Sequence, residues 1–367
     1  MKFTVNRTRF VDAVGLACGV IPVRTVKPVL MNVRLTLDEA GITIVGTDLE
    51  VAVRVRLEAE RIVEQGDILL PANRLLSIIR EAESETLTCT CEDMGFTIQS
   101  GKNTSKVMAE PKGDYPEIDT VGDTTPLIMP RDDLRRLIRK TVFATAKEKT
   151  RYAFNGVRFE TAGNECRMIG TDGRRMAIMM VLVENPDGIE AGHIIPTKGL
   201  SIIDRVVADG GPEVKIHLLD RMVVVSTGSA EVSSRLVEGA FPRYESVIPR
   251  DTRSTATFEK APLLSALRQA NVLTNEESRA IRISFEADRA IMTSRTMDVG
   301  ESRVEVEGHL EGEPMEANFN GDFLIEGIKQ MDSHRVVFQL SGRDTPSIVE
   351  GEENFLYVVM PVTVRTA

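Results

Sequence analysis

The side chains capable of chemistry are scattered through this chain and do not converge in sequence. His193, His217, His309 and His334 stand alone, none three or four residues from a second ligand, so no metal site is expected. Asp132 and Asp133, like Glu352 and Glu353, are adjacent. Neighbours on a helix or loop point apart, and an acidic pair at a helix start offsets the helix dipole more readily than it forms a general acid–base dyad. Gly101 and Lys102 lack the upstream glycine and following hydroxyl of a phosphate-cradling loop, and neither G-x-G-x-x-G nor G-x-S-x-G occurs. Cys18, Cys89, Cys91 and Cys166 are too few and too dispersed for a disulfide framework and read as reduced structural thiols. No enzyme class is recommended, and neither a catalytic residue nor a cofactor is expected.

The segment Met1 to Arg7 alternates apolar and polar residues without the apolar core of a signal peptide, and reads as a first strand of a cytoplasmic protein. The longest apolar run, Met176 to Val183, is far short of the roughly 20 residues a membrane helix needs. The 367 residues are 42% hydrophobic, enough for real cores, and carry a formal charge of −10, which taken alone argues against nucleic acid. Aromatics amount to 5% with no Trp, which argues against stacking platforms for single strands.

An internal repeat organises the chain. Val33-Arg34-Leu35, Val157-Arg158-Phe159 and Ile281-Arg282-Ile283 recur at a period of 124 residues. Gly46-Thr47-Asp48 recurs as Gly170-Thr171-Asp172 at the same interval, and Ser294 to Asp298 is a degraded third copy. Pro71-Ala72-Asn73 and Pro196-Thr197-Lys198 each precede a helical pattern, as Phe319-Asn320-Gly321 does more faintly. Aromatic–proline turns close the first two copies at Tyr115-Pro116 and Phe241-Pro242. A period this long exceeds a solenoid repeat, so each copy is expected to be a domain: 1–125, 126–250 and 251–367. Short alternating strands and two helices per copy predict an α+β fold with helices covering antiparallel sheets. The first helices are predicted at 8–18, 131–147 and 261–272, the second at 73–81, 198–207 and 322–329.

Charge follows the helices. The predicted helix 131–147 holds Arg131, Arg135, Arg136, Arg139, Lys140 and Lys147 against Asp132 and Asp133. The six helices together come to about +6 in a chain of −10, a weakly basic surface suited to a phosphate backbone without sequence readout.

Six ordered blocks give a full-length resemblance: Met1-Lys2-Phe3-Thr4-Val5, Gly46 to Glu50, Arg151 to Gly156, Gly170 to Arg175, Leu236 to Pro242 and Tyr357 to Pro361. The chain resembles the bacterial sliding clamps, the β subunits of DNA polymerase III. That resemblance implies three tandem DNA-clamp domains, a head-to-tail homodimer forming a six-domain ring around duplex DNA, and no catalysis. It implies as partners an ATP-dependent clamp loader, the replicative polymerase, and other polymerases or repair proteins held through short linear motifs. Positions similar to family DNA contacts are Arg24, Lys147, Glu148, Arg151, Tyr152 and Lys198; charge and position add Arg74, Arg136 and Arg139. A peptide pocket is implied at Ala153, Phe154, Thr171, Gly173, Arg174, Arg175, Met176, Pro242, Val247, Pro346, Val358, Met360, Pro361 and Val362. Val107, Val272 and Leu273 match dimer-interface positions. Ala153 and Ser246 stand where members often carry an aromatic and an arginine, and Arg174 where histidine is common, which bears on peptide preference. Two alternatives stay open: a peptide adaptor of this fold that does not hold DNA, and a hydrolase without a recognisable motif.

Overall fold

A computed structural model describes residues 1–118, 121–122, 124–147, 152–185, 188–275, 278–296 and 299–363, without the side chains of residues 152 and 153. The first copy contributes β1 (Lys2–Asn6), α1 (Arg7–Cys18), β2 (Asn32–Asp38), β3 (Gly41–Thr47), β4 (Val51–Leu57), β5 (Arg61–Glu64), β6 (Gly66–Pro71), α2 (Ala72–Glu81), β7 (Thr86–Glu92), β8 (Gly95–Ser100) and β9 (Asn103–Met108). The second contributes β10 (Leu127–Pro130), α3 (Arg131–Val142), β11 (Gly156–Ala162), β12 (Glu165–Thr171), β13 (Arg175–Leu182), β14 (Ala191–Pro196), α4 (Thr197–Val207), β15 (Glu213–Leu218), β16 (Met222–Thr227) and β17 (Ala230–Arg235). The third contributes β18 (Ser254–Glu259), α5 (Lys260–Asn271), β19 (Ala280–Phe285), β20 (Arg289–Thr296), β21 (Gly300–Glu307), β22 (His309–Gly312), β23 (Met315–Asn320), α6 (Gly321–Gln330), β24 (Arg335–Leu340), β25 (Ser347–Glu350) and β26 (Phe355–Val359).

Local chemistry sets these boundaries. In α1, Phe10, Ala13, Val14 and Ala17 form the buried stripe of an amphipathic helix, and the Asn6 side chain caps its start by accepting from Arg9 N at 3.2 Å. Asn320 caps α6 in the same way through Phe323 N. The helix predicted at 131–147 stops at Val142, so Lys147 lies beyond its end.

The repeat and the compact units do not coincide. One unit comprises Met1–Arg135, Val183–Asp187 and Lys198–Leu236; the other comprises Arg136–Leu182, Gly188–Thr197 and Val237–Ala367. The reason is strand pairing. In the first unit β17 pairs with β4, fusing half of the second copy to the first in an eight-stranded sheet ordered β10-β15-β16-β17-β4-β3-β2-β6. In the second unit β13 pairs with β26, fusing the other half to the third copy in a nine-stranded sheet ordered β14-β11-β12-β13-β26-β25-β24-β18-β22. The first unit also holds a sheet ordered β5-β1-β7-β8-β9, and the second a sheet ordered β21-β20-β19-β23.

The repeated Gly-Thr-Asp is a packing device followed by a turn. A Cβ on Gly46 would lie 2.3 Å from the Ala17 carbonyl oxygen of α1, and one on Gly170 would lie 2.1 Å from the Thr141 carbonyl oxygen of α3. Only glycine lets the helix end approach the strand so closely. The third copy has Ser294 here, which answers the same demand differently: its hydroxyl donates to the Ala270 carbonyl at 2.7 Å.

Candidate partner groove and basic helix face

The clearest candidate site lies within the second unit, on the face of the nine-stranded sheet opposite Arg175. Ile169, Met176, Ile194, Phe241, Tyr244, Ile348 and Val358 form one buried apolar cluster. Strand register assembles it: Met176 faces Val358, and Val358 faces Ile348 on the next strand. Over these strands runs the segment that follows Leu236, tied down where Val237 N donates to the Ile194 carbonyl at 2.8 Å. Its two aromatics meet edge to face, Phe241 and Tyr244 being 6.4 Å apart. Tyr244 donates its hydroxyl to Glu160 Oε2 at 2.7 Å, and the Arg158 guanidinium sits 5.8 Å from the Phe241 ring. Burial, reinforced by that hydrogen bond and the Glu160 charge, pushes the Tyr244 phenol up, keeping it a donor at neutral pH.

Around this floor the surface is apolar yet open. Val247 and Met360 are 46% and 38% exposed, Pro242, Gly173 and Arg174 are exposed, and Phe154, Pro346, Pro361 and Val362 are half-buried. Phe154 lies in van der Waals contact with the space above Gly173, whose φ of +84° suits glycine. The tail is held by main chain: Met360 N donates to the Arg174 carbonyl and Val362 N to the Asn318 carbonyl. An apolar floor with an exposed rim and ordered main chain suits an extended apolar segment of a partner.

Two predicted pocket residues support the groove without lining it. Thr171 spends its hydroxyl on the turn, donating to the Arg175 carbonyl at 2.6 Å and accepting from Gly173 N. Arg175 is 2% exposed and points to the helix side, bonding Asp172, Glu326 Oε2 at 2.6 Å and the Phe143 carbonyl at 2.8 Å, with its guanidinium 4.3 Å from the Phe323 ring. The Ala153 backbone lies in a short 3-10 turn, Tyr152–Asn155. Sequence reasoning missed Phe241, Tyr244 and Ile348 as groove residues, although the aromatic–proline repeat flagged the first. Beyond Tyr244 and Ile248 opens a further cleft of 740 Å³, lined by none of the predicted residues.

The basic positions separate into free and committed groups. Arg24, Arg74 and Arg139 are exposed, Arg24 on a loop where Val23 and Val26 are 86% and 98% exposed. Arg136 bonds Glu352 at 3.1 Å. Lys147, 78% exposed, pairs with Glu326 at 3.1 Å; Lys198, 50% exposed, pairs with Asp48 and, at 3.4 Å, with Glu50. Lys140, counted above as helix charge, is fully buried and held by Glu352, Asp332 and the Gln330 carbonyl. Its charge is spent internally, so the face of α3 is less basic than its composition. Glu148 and Arg151 lie outside the described residues, and for Tyr152 only the backbone is described.

Of the matched interface positions, Val272 is 76% exposed at the end of α5, Leu273 is half-buried and Val107 is buried within its own sheet. Val107 lies on the edge strand β9, where Met108, 63% exposed, carries the apolar surface; β21 is an edge of the four-stranded sheet. No helix of the described residues is long and apolar enough to cross a membrane.

Three family models cover nearly the whole chain: the N-terminal domain of the DNA polymerase III beta subunit matches 1–119, the central domain 128–243 and the C-terminal domain 245–363. The chain belongs to the DNA polymerase III beta subunit family. It is 29% identical to the beta sliding clamp of Pseudomonas putida, over 99% of this chain and 100% of that one, and 28% identical to that of Haemophilus influenzae over the same shares. Among solved structures it is similar to a Pseudomonas aeruginosa sliding clamp bound to griselimycin, at a TM-score of 0.95 and 29% identity, covering 99% of this chain and 100% of that one. A C. crescentus beta sliding clamp with PEG bound to its putative beta-motif tethering region matches at a TM-score of 0.93, 29% identity and the same coverage.

Proposed function

We propose that this chain is a DNA sliding clamp: a homodimeric ring that encircles duplex DNA, tethers the replicative polymerase and other partners through the groove, and catalyses nothing itself. The observation that carries the reading is the match to beta sliding clamps through all three copies. A clamp must stay on DNA while sliding, so retention comes from topology and the protein surface facing DNA needs only mild positive charge. The burial of Lys140 and the pairing of Arg136, Lys147 and Lys198 fit that requirement, leaving Arg24, Arg74 and Arg139 as the more open cations. Glu148, Arg151 and Tyr152 complete the proposed DNA set. We assign the domains as 1–125, 126–250 and 251–367, the dimer contact to Val107, Val272 and Leu273, and the location to the cytoplasm.

The groove formed on Met176, Val358 and Ile348 is the proposed seat of the partners' short motifs, and it is where we expect griselimycin to bind. Opening the ring falls to a separate ATP-driven loader. The test is retention of loaded protein on nicked circular DNA against the same DNA linearised. Retention on the circle with rapid loss from the linear form is expected; equal loss from both refutes encirclement.

A further inference from the structure

The groove of the second unit has a structural twin inside the first. Both begin with the same turn. Thr47 Oγ1 donates to the Val51 carbonyl and accepts from Leu49 N, as Thr171 Oγ1 does with Arg175 and Gly173. Asp48 Oδ1 accepts from Glu50 N and Val51 N, as Asp172 Oδ1 does from Arg174 N and Arg175 N. Leu49 and Gly173 share the left-handed conformation, at φ of 79° and 84°. The next strand then pairs with a strand of the following copy in the same register, Ala52 with Ser233 and Met176 with Val358. Even the closing bond repeats: Arg235 N donates to the Glu50 carbonyl and Met360 N to the Arg174 carbonyl, both at 2.9 Å. Tyr115 seats on Val45 and Leu69 as Phe241 seats on Ile169 and Ile194.

The side chains diverge where a peptide would lie. In the second unit the buried cluster extends across the strand pair through Met176, Val358 and Ile348; in the first it stops at Val45, Leu69 and Tyr115. Ala52 and Ser233 supply neither the bulk nor the apolar surface of Met176 and Val358. Leu49 places a side chain where Gly173 leaves space, and Arg235 puts charge where the groove has Met360, while Glu50 and its counterpart Arg174 are both charged. What remains is a cleft of 120 Å³ whose lining includes Leu49, Ala52, Ser233 and Ile118.

We propose that this junction is a closed copy of the partner groove, and that Leu49, Ala52 and Ser233 are the specificity-determining residues that confine motif capture to one groove per chain. The inference rests on the groove assignment above and adds which residues decide between two equivalent frameworks. The turn, register and closing bond are shared, so the choice lies with side chains, of which these three supply a plug, a missing knob and a polar floor. Partner stoichiometry on the homodimer is thereby held at one per protomer.

The experiment is calorimetric titration of the full-length chain with griselimycin. One molecule per chain is expected for the wild type, and two per chain for the triple variant Leu49→Gly, Ala52→Met, Ser233→Val. Two per chain for the wild type overturns the proposal, as does a triple variant that melts like the wild type yet still binds one. If the triple variant does not fold, Leu49→Gly with Ser233→Val is read the same way, with the second molecule sought beside Ala52 in soaked crystals. The reciprocal variant Gly173→Leu, Val358→Ser copies the closed junction into the groove and is expected to weaken binding at least tenfold. No binding by the wild type, or undiminished binding by this reciprocal variant, instead sinks the groove assignment itself.

Discussion

The turns after β3 and β12 share their hydrogen bonds but feed two different charge systems. In the first unit Asp48 meets Lys198, a half-exposed ammonium on a flexible stem that also reaches Glu50. In the second, Asp172 meets Arg175, a buried guanidinium whose planar fork also engages Glu326, the Phe143 carbonyl and an aromatic face. A compact, hydrated cation at the edge can change partners cheaply, whereas a desolvated fork with every side occupied cannot. The same local sequence thus yields one loose latch and one fixed bolt, and the bolt lies behind the groove.

The largest expected difference follows from that contrast. Arg175→Ala leaves Asp172 and Glu326 facing a buried gap and should cost ~3–5 kcal/mol, whereas Lys198→Ala should cost under about 1 kcal/mol. Urea unfolding of the two variants checks this; losses of similar size would erase the distinction between the turns. Next come the helix approaches. Gly170→Ala and Gly46→Ala force a Cβ against backbone oxygen and should each cost ~1–3 kcal/mol, while Ser294→Ala, which only deletes a hydrogen bond, should cost about 1 kcal/mol. A Ser294→Ala variant as damaged as Gly170→Ala in thermal melts would contradict that ranking.

The smallest effect is one of pH. Burial alone would raise the Glu326 carboxyl, but hydrogen bonds and charge from Arg175, with Lys147 behind them, outweigh it and hold the group below its ordinary 4.5. A carboxyl depressed in the folded state adds stability above its unfolded pKa and loses it as pH falls through the folded one. The melting temperature should therefore fall on acidification below about pH 4.5, and Glu326→Gln should flatten that slope; an unchanged slope would count against the Arg175–Glu326 pair.

Much of this was legible in the residues. The 124-residue period located the helix pairs, the turns and both aromatic–proline closures, because repeated packing demands repeat the same glycine, threonine and aspartate. Strand partners were not legible: β4 pairs with β17 and β13 with β26, across sequence separations that alternation alone cannot assign. Counting charges also hid where they go. Lys140 sits among helix cations in sequence yet is neutralised by Glu352, 212 residues on, and Arg54 pairs with Glu231, 177 residues on. Arg175 followed the turn motif correctly but faces the helices, since strand neighbours point to opposite sides and Met176 takes the groove side.

The way the sheets are shared has a consequence for how the molecule can be divided. Residues 126–250, the middle repeat, contribute β17 to one sheet and β13 to another, and each finds its partner in a neighbouring copy. Released alone, that segment would carry two unpaired ladder edges, the condition under which strands recruit foreign chains and aggregate. Each 124-residue copy therefore relies on a neighbour to complete its sheet, β4 on β17 and β26 on β13.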